Sequence, residues 1–327
     1  MKKKLKFSVL DLVPVYDGQS PGDAIRNSGS LARRAEELGY TRYLIAEHHN
    51  TPILAGAATS VVVQYVLANT RTIRVGAGGV MLPNHSPLQV AETYASLDFL
   101  YPGRVDLGLG RAPGTDPLTA QMIARRQYMS NQAFFDDVMQ LVSYFDIAAG
   151  GPVQAYPGPG ASVRTIILGS STHSAYIAAA AGLPYAYAMH FSLDQAKAAI
   201  SIYRDRFHPS SQLEEPYVMV ALWNFAAPTS EASEERYAAH MTLLDKSMGG
   251  ISQDPEKMPR PLTSSEKILL SARFGASLRG SPKEVRKCWD RWDALAHPDE
   301  VILATFCGSV DDTAESLRIA KETLEGR

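Results

Sequence analysis

The stretch Arg42-Tyr43-Leu44-Ile45-Ala46-Glu47-His48-His49 joins an apolar run to three polar residues, and a helical run over residues 55–69 follows it. The apolar run is typical of a buried strand, so the polar triplet falls where that strand gives way to a loop. In a β/α barrel such loops open onto the carboxyl face, where active sites lie. Histidine also holds or moves a proton near pH 7. The triplet is therefore a candidate site, although an ordinary polar surface loop is the simpler interpretation of these residues alone.

The same order of elements repeats along the chain. Eight short runs predict strands, at residues 6–10, 42–46, 73–78, 105–108, 165–168, 185–189, 217–222 and 300–304. Helical patterns lie between most of these runs, and this alternation favours parallel strands joined by crossover helices. The length would allow two domains, but barrels of this size are often single domains. We predict one domain over residues 1–327, an α/β protein built as a (β/α)8 TIM barrel with insertions at its C-terminal face.

Capping signals indicate where several helices begin. Ser20-Pro21-Gly22-Asp23 combines an N-cap, a proline at the first helical position and an acid, and Gly39 ends the apolar pattern that follows. Residues 86–89 and 281–284 have the spacing of capping boxes, and residues 192–195 repeat that spacing. These signals predict boundaries and carry no information on chemistry.

Two segments interrupt the alternation. Residues 150–163 are rich in glycine and proline, and residues 246–279 contain a glycine pair and three prolines with few strand signals. We interpret 246–279 as an excursion over the active-site face that serves as a lid. A disordered surface loop is an equally good interpretation, since long loops are either functional or disordered.

Composition narrows the class of protein. The chain has 327 residues, a net charge of −2 and 45% apolar residues, which suits a globular protein with a large core. Near-neutral charge gives no reason to expect nucleic acid or an anionic membrane as a partner. Cys288 and Cys307 form neither a CxxC nor a metal-binding spacing, which favours a reduced, cytoplasmic protein without a metal. No apolar stretch has the length of a signal-peptide core or a membrane span.

Three glycine- or serine-rich strand exits are candidate ligand sites. Residues 104–114 run from a strand into a glycine-rich turn with Arg111, which could grip a phosphate or lie in solvent. Residues 166–174 lead through three hydroxyl side chains into a helix N-terminus, which suits an anion or simple N-capping. Residues 75–83 contain three glycines, which a planar ring against the backbone or a β-bulge would explain.

Together these motifs resemble the bacterial luciferase-like monooxygenases, a family of flavin-dependent (β/α)8 barrels. The matching motifs, in chain order, are Glu47-His48-His49, Val75-Gly76-Ala77-Gly78-Gly79 with Leu82-Pro83, Gly103-Arg104-Val105-Asp106-Leu107-Gly108 leading to Gly110-Arg111, Gly169-Ser170-Ser171-Thr172 and His190-Phe191. The resemblance runs over nearly the whole chain and is densest in the first 120 residues. It points to a single-chain branch whose substrate is not assigned.

The resemblance implies roles for particular residues. Reduced FMN would lie across the C-terminal face of the barrel, with a non-prolyl cis peptide between Gly78 and Gly79 beneath its ring. The residues implied for cofactor binding are Ala77, Gly78, Gly79, Arg111, Gly169, Ser170, Ser171 and Thr172. Those implied for catalysis are His48, Glu47 and His190. His48 corresponds to the histidine that supports oxygen chemistry at the flavin, Glu47 would orient backbone or histidine, and His190 with Phe191 would flank the ring or the substrate.

The implied activity is monooxygenation of an unidentified small organic molecule with O2. No nicotinamide fingerprint is visible, so a separate flavin reductase would deliver the reduced FMN. The resemblance also implies a homodimer, for which residues 57, 58, 61, 62, 65 and 66 offer apolar surface, although the same residues could serve barrel packing. Light emission is not expected.

Three other functions remain open. A family member that uses a deazaflavin would be a reductase or dehydrogenase on the same barrel. Deazaflavin is the less favoured of the two cofactors. A flavin-binding protein without turnover would need only the phosphate grip. An unrelated phosphate-ligand barrel ranks last, because such barrels commonly place Lys or acidic residues at strand ends, where this chain offers Gly, His and Ser.

Overall fold

Nine strands and ten α-helices occur in the residues described by this structure, a computed structural model that covers 4–125, 129–249 and 276–326. The strands are β1 Lys6–Asp11, β2 Arg42–Ile45, β3 Arg74–Met81, β4 Val105–Gly110, β5 Arg164–Gly169, β6 Tyr185–Tyr187, β7 Val218–Ala226, β8 Ser277–Gly280 and β9 Glu300–Ala304. The helices are α1 Pro21–Glu37, α2 Thr59–Asn69, α3 Pro87–Leu100, α4 Pro117–Ile123, α5 Asn131–Ser143, α6 Thr172–Ala181, α7 Ala196–Asp205, α8 Ser230–Gly249, α9 Pro282–Ala296 and α10 Val310–Glu325. Strands and helices alternate over most of the chain.

Eight of the strands close into a parallel ring. The order runs from β1 to β7, β9 lies between β7 and β1, and β6 pairs with β7. The eight runs that the sequence pattern predicts are these eight strands, so the predicted (β/α)8 barrel is confirmed. Each crossover returns the chain to the same end of the ring, so all the carboxyl ends of the strands meet at one face.

The ninth strand was missed. β8 pairs with residues 223–226 of β7, whereas β9 pairs with residues 219–223, so the two pairings share Trp223. It has only four residues, Ser-Leu-Arg-Gly, with one large apolar side chain, so the sequence carries almost no strand pattern there. The expected lid over 246–279 therefore ends in barrel structure at Ser277 to Arg279 and begins within α8, and the part of it at 250–275 lies outside the described residues.

Most predicted helix boundaries agree with the structure. Ser20 caps α1 with a reciprocal capping box to Asp23, and Ser281 does the same with Glu284 at α9. At α3 the helix begins at Pro87 as predicted, but the Ser86 side chain makes no cap hydrogen bond, so the predicted box is absent there. Residues 150–163 contain no helix or strand and join α5 to β5.

The barrel is closed at its amino end by a buried ionic network. The Arg42 guanidinium donates to Asp106 at 2.8 Å and also binds Glu300, while Arg74 binds Asp106 at 2.6 Å. The Tyr217 hydroxyl donates to Glu300 at 2.7 Å. These residues start five different strands, so their side chains fill one end of the ring and leave the carboxyl end for a site.

The protein has two apolar cores, one outside the ring of strands and one inside it. The larger lies between strands and helices, and a smaller one, including Leu10, Leu44, Ile166 and Ile302, lies inside the barrel. Within the described part of the chain, no helix is both long and apolar enough to cross a membrane.

Candidate active site

A cavity of about 1060 Å³ opens at the carboxyl ends of the strands. Pockets for one small molecule span about 300–1,000 Å³, so this cavity lies at the upper end of that range. Of the residues predicted for the site, those that line it are Gly78, Gly79, Arg111, Gly169, Ser170, Ser171 and His190, together with Phe191. These residues come from four separate parts of the chain, and the fold brings them to one space.

Four predicted site residues lie off the cavity surface. Ala77 is fully buried within β3, and Thr172 is the first residue of α6, where its backbone N–H donates to the Gln195 side chain at 3.0 Å. That N–H is thus already bonded within the protein. Glu47 and His48 lie in the loop after β2 and are not among the residues that line the cavity.

The peptide bond between Gly78 and Gly79 is cis, as the resemblance implied. The ladder between β3 and β4 shifts register between Ala77 and Val80, so a β-bulge is also present. A Cβ on Gly79 would lie 2.4 Å from a methyl of Leu168, and one on Gly78 would lie 2.7 Å from a methyl of Leu10. Side chains are therefore excluded at both positions, and bare backbone forms this wall of the cavity.

The N-terminus of α6 forms another wall. The Ser171 side chain accepts from the N–H of Ser174 at 3.5 Å, and the hydroxyls of Tyr187 and Tyr185 donate to the carbonyls of Ser170 and Ser171, both at 3.1 Å. These bonds hold the loop between β5 and α6 in a fixed conformation. The positive end of the helix dipole then faces the cavity.

Arg111 brings a cation to the same cavity. It follows β4, its side chain is exposed, and its guanidinium binds the side chain of Asn131 at the start of α5. A guanidinium beside a helix N-terminus is a favourable site for a phosphate. The residues present thus fit a ligand with a phosphate at this end and a flat group against the backbone of Gly78 and Gly79.

Glu47 is the centre of a hydrogen-bonded cluster. One carboxylate oxygen accepts from His49 and from His85, both at 2.9 Å, and the other accepts from the N–H of Met81 at 3.2 Å. Burial favours a raised pKa for Glu47, but the hydrogen bonds and the charge of His85 outweigh it, and the pKa is lowered. The ionised Glu47 therefore ties the loop after β2 to the end of β3, next to the cis peptide.

Two histidines of the site are neutral at pH 7. Burial lowers the pKa of His48 to about 4, against the attraction of Glu47, and burial also lowers the pKa of His190 to about 4. His190 Nδ1 lies 3.3 Å from the carbonyl of Ala221, which can only accept, so Nδ1 carries the proton and Nε2 is an acceptor. His48 Nδ1 is buried and has no hydrogen-bond partner among the described residues.

Some site residues gave little or no signal in the sequence. His85 follows β3 and binds Glu47, and His173 lines the cavity at the second position of α6, but neither was assigned a role. Ala120 and Gln121 of α4, with its C-cap residue Ala124, form a further wall, and α4 has no buried residue and therefore no amphipathic pattern to detect.

The closed parallel barrel with a cavity at the carboxyl ends of its strands is the architecture of β/α-barrel enzymes. The chain belongs to the family of luciferase-like monooxygenases, which matches residues 5–324. It is 43% identical to a luciferase-like monooxygenase of Escherichia coli (strain K12) over 87% of this chain and 86% of that one. It is 39% identical to the uncharacterized protein YddN of Bacillus subtilis (strain 168) over 99% of this chain and 97% of that one.

Solved structures share the fold. The crystal structure of apo-MsnO8 matches with a TM-score of 0.86 and 29% identity over 98% of this chain and 99% of that one. Two more distant structures cover 99% of both chains: the oxygenating constituent of 3,6-diketocamphane monooxygenase from Pseudomonas putida in complex with FMN, at TM-score 0.71 and 16% identity, and an F420-dependent secondary alcohol dehydrogenase, at 0.68 and 15%. Structural neighbours of this chain thus use FMN or F420.

Proposed function

We propose that this protein is a monooxygenase that uses reduced FMN and O2 to oxygenate a small organic substrate. The observation that carries the proposal is the meeting, on one cavity, of the α6 N-terminus, Arg111 and the bare backbone of Gly78 and Gly79. When bound there, reduced FMN would supply the electrons that activate O2. A separate flavin reductase would deliver it in the cytoplasm.

Each part of the site has a role in this proposal. Arg111 and the Ser170–Ser171 turn hold the phosphate, and the Gly78–Gly79 backbone supports the ring. Glu47 keeps the loop after β2 against the end of β3 and so positions His48. The neutral imidazoles of His48 and His190 accept or donate hydrogen bonds without adding charge to the cavity. His190 Nε2 is the acceptor for a substrate proton.

Water exclusion comes from the apolar part of the cavity wall. Met81, Pro83, Pro113, Met129 and Phe134 line it and offer few groups that hold ordered water. A dry site strengthens electrostatic interactions and protects a reactive oxygen species from loss as peroxide. This wall favours a monooxygenase over a flavin store, which needs only a grip on the cofactor.

The experiment that tests the proposal is an anaerobic titration of the protein with reduced FMN, followed by mixing with O2 in a stopped-flow absorbance instrument. We expect tight binding, then a delay before oxidised flavin reappears, and a shorter delay in His48→Ala. Immediate reoxidation without a delay would contradict the monooxygenase. Binding of reduced F420 in place of FMN would instead favour the dehydrogenase chemistry of the F420-dependent neighbour.

We also propose a homodimer that forms through α2. Ala57, Ala58 and Val61 are exposed, and Val61 retains 62% of its accessible surface. Val62 and Val66 are buried within the barrel and are not available for an interface. Light scattering coupled to size-exclusion chromatography should give twice the chain mass, and Val61→Glu should give the monomer mass. A monomer mass for the unmodified chain would contradict the proposed homodimer.

A further inference from the structure

A carboxylate that the proposed function does not use lies at the exit of β1. Asp11 is the last residue of that strand and is 2% exposed. Its Oδ2 accepts from the hydroxyls of Ser28 at 2.5 Å and Tyr43 at 2.6 Å. Its Oδ1 accepts from the N–H of Val13, two residues further along the chain, at 2.7 Å. The carboxylate therefore joins α1 and β2 to the turn that follows β1.

The turn that Asp11 bonds is strained at Val13. Val13 has a φ of +56°, in the left-handed region that β-branched residues rarely adopt. Pro14 follows it, and a proline favours extended backbone at the residue before it. Strained backbone persists only where the surrounding contacts impose it. Here the bond to Asp11 and the complete burial of the Val13 side chain impose it.

Both ends of the loop that contains His48 bond to this turn. The loop spans residues 46–58, between β2 and α2. Its first residue donates its N–H to the carbonyl of Asp11 at 2.9 Å, and the N–H of Ala55 donates to the carbonyl of Val13 at 2.9 Å. The conformation of the turn therefore sets the path of the loop, and with it the place of the His48 imidazole.

His48 depends on its backbone for that place. Its Nδ1 is buried and has no hydrogen-bond partner among the described residues, so no bond at that atom fixes the ring. Burial lowers the pKa of His190, and the nearby His48 lowers it further, so the two imidazoles are close in space. Because His190 lines the cavity, a shift of the loop would change how His48 lies relative to the cavity wall.

We infer that Asp11 is a positioning residue of the active site. By accepting from the N–H of Val13 it keeps the strained turn in the conformation to which the His48 loop is bonded. Asp11 is itself not among the residues that line the cavity. The inference rests on the proposed function for the part of His48 in oxygen chemistry, and on the hydrogen bonds alone for the place of His48. Loss of the carboxylate should release the loop and leave the phosphate site at Arg111 intact.

The test compares Asp11→Ala with Tyr43→Phe in the full chain. Each variant removes a buried bond of the same carboxylate, but in Tyr43→Phe the carboxylate keeps its bond to Val13. One readout is the NMR spectrum of protein isotopically labelled at histidine Cε1, in which His48→Ala identifies the His48 signal. The other is hydrogen–deuterium exchange in the peptide 46–58. We expect Asp11→Ala to move the His48 signal and to speed this exchange at least about ten-fold, and Tyr43→Phe to change it less than about two-fold.

Further variants separate positioning from general destabilisation. The amide oxygen of Asp11→Asn can still accept from the N–H of Val13, so this variant should keep the exchange within about two-fold of the unmodified chain. The signal of His208, on the segment after α7, should stay in place throughout. Circular dichroism checks folding. If Asp11→Ala does not fold, Asp11→Leu combined with Tyr43→Phe takes its place, because it fills the space and leaves no Tyr43 hydroxyl without an acceptor.

The delay before flavin reoxidation extends the test to the reaction. It should shorten as much in Asp11→Ala as in His48→Ala, and no further in the double variant, while FMN affinity stays within about two-fold. An unmoved His48 signal in Asp11→Ala, an equal response in Tyr43→Phe, or an unchanged delay would overturn the inference. If the unmodified chain shows no delay, the proposed monooxygenase fails, and the His48 signal and loop exchange decide by themselves whether Asp11 positions His48.

Discussion

At the scale of single residues, the chain keeps several imidazoles neutral by burying them. His48, His190 and His240 all have lowered pKa values, and in each case burial is the largest cause. His240 lies outside the cavity, stacked on Phe306 with ring centroids 4.0 Å apart and in edge contact with Trp223 at 4.7 Å. Its titration therefore affects stability without touching the proposed chemistry.

This burial predicts a loss of stability in mild acid. Burial lowers the pKa of folded His240 to about 3, against a backbone hydrogen bond with Phe306, from an ordinary value of 6.5. Between these two values the unfolded chain binds the proton and the folded chain does not, so stability falls as pH falls below 6.5. From about pH 7.5 to about pH 5 this histidine alone removes about 2 kcal/mol. We expect His240→Phe to reduce the loss by that amount in urea denaturation.

His208→Phe is the matched control for this measurement, since His208 is exposed on the segment after α7. It shows whether the exchange of a histidine for phenylalanine by itself alters the measured slope. Equal slopes for His240→Phe and the unmodified chain would show that His240 is protonated to the same extent in both states, contrary to its burial.

Arg111 carries the second prediction at this scale. Replacing it by Gln would remove the charge-assisted hydrogen bond to the flavin phosphate that we propose, and such a bond contributes about 1.5–3 kcal/mol. The dissociation constant for reduced FMN should rise by about 10- to 100-fold in an anaerobic titration. Arg33→Gln is the control, because Arg33 is also an exposed arginine bonded to an asparagine, Asn69 at 2.9 Å, far from the cavity. Unchanged FMN affinity in Arg111→Gln would show that the phosphate does not bind at Arg111.

At the scale of elements, the end of β3 depends on the absence of side chains. A Cβ on Gly79 would lie 2.4 Å from Leu168 Cδ1 and 2.6 Å from the carbonyl oxygen of Gly108, and a backbone atom cannot move aside cheaply. Gly79→Ala should destabilise the protein by about 1–3 kcal/mol, the usual range for overpacking, and weaken FMN binding. Gly150→Ala is the control, since nothing lies within 4 Å of a Cβ there. Full stability of Gly79→Ala in urea denaturation would show that this strand end is loosely packed.

The elements also show what the sequence can and cannot predict. The eight ring strands were predictable because each is a local apolar run, and the caps at Ser20 and Ser281 because each bonds within its own helix. The cis bond at Gly78 followed from resemblance to a family and not from physical pattern. β8 and the wall from α4 were missed, because β8 has one large apolar residue and α4 buries none.

Local sequence pattern also could not predict which side chains meet in the cavity. Glu47 and His85 lie 38 residues apart in the chain, and the bond between them exists only because β2 and β3 are neighbours in the ring. Local pattern identified the strand exits as the place for a site. Which polar groups meet there depends on the register of strands around the closed ring.

At the scale of the whole molecule, the ionic network at the amino end links strands around the ring. Arg42 on β2 binds Asp106 on β4, across β3, and Glu300 on β9, across β1. One side chain therefore links three strands that are not neighbours in the ring. The side chains of Arg42, Asp106 and Glu300 are at most 4% exposed. Such a pair is a weak source of net stability, but removal of one partner leaves a buried charge without compensation.

Arg42→Met should therefore destabilise the protein by about 3–5 kcal/mol, as measured by urea denaturation at pH 7. Asp106 keeps Arg74 at 2.6 Å, whereas among the described residues the side chain of Glu300 keeps only the hydroxyls of Ser8 and Tyr217, so Glu300 is the carboxylate left without a cation. Arg318→Met is the control, because Arg318 pairs with Glu322 at 2.6 Å on the exposed face of α10, where such a pair contributes less than about 1 kcal/mol.

The double variant Arg42→Met with Glu300→Gln identifies the cause of that loss. If an unpaired carboxylate destabilises the single variant, the neutral amide should restore part of the stability, because Gln can bond to Ser8 and Tyr217 without a charge to compensate. If the double variant is less stable than Arg42→Met alone, the network acts by holding strands together and not by balancing charge. FMN affinity should stay unchanged in Arg42→Met, in the double variant and in Arg318→Met, since the cavity lies at the opposite end of the barrel. A change in FMN affinity would show that the two ends of the barrel are coupled.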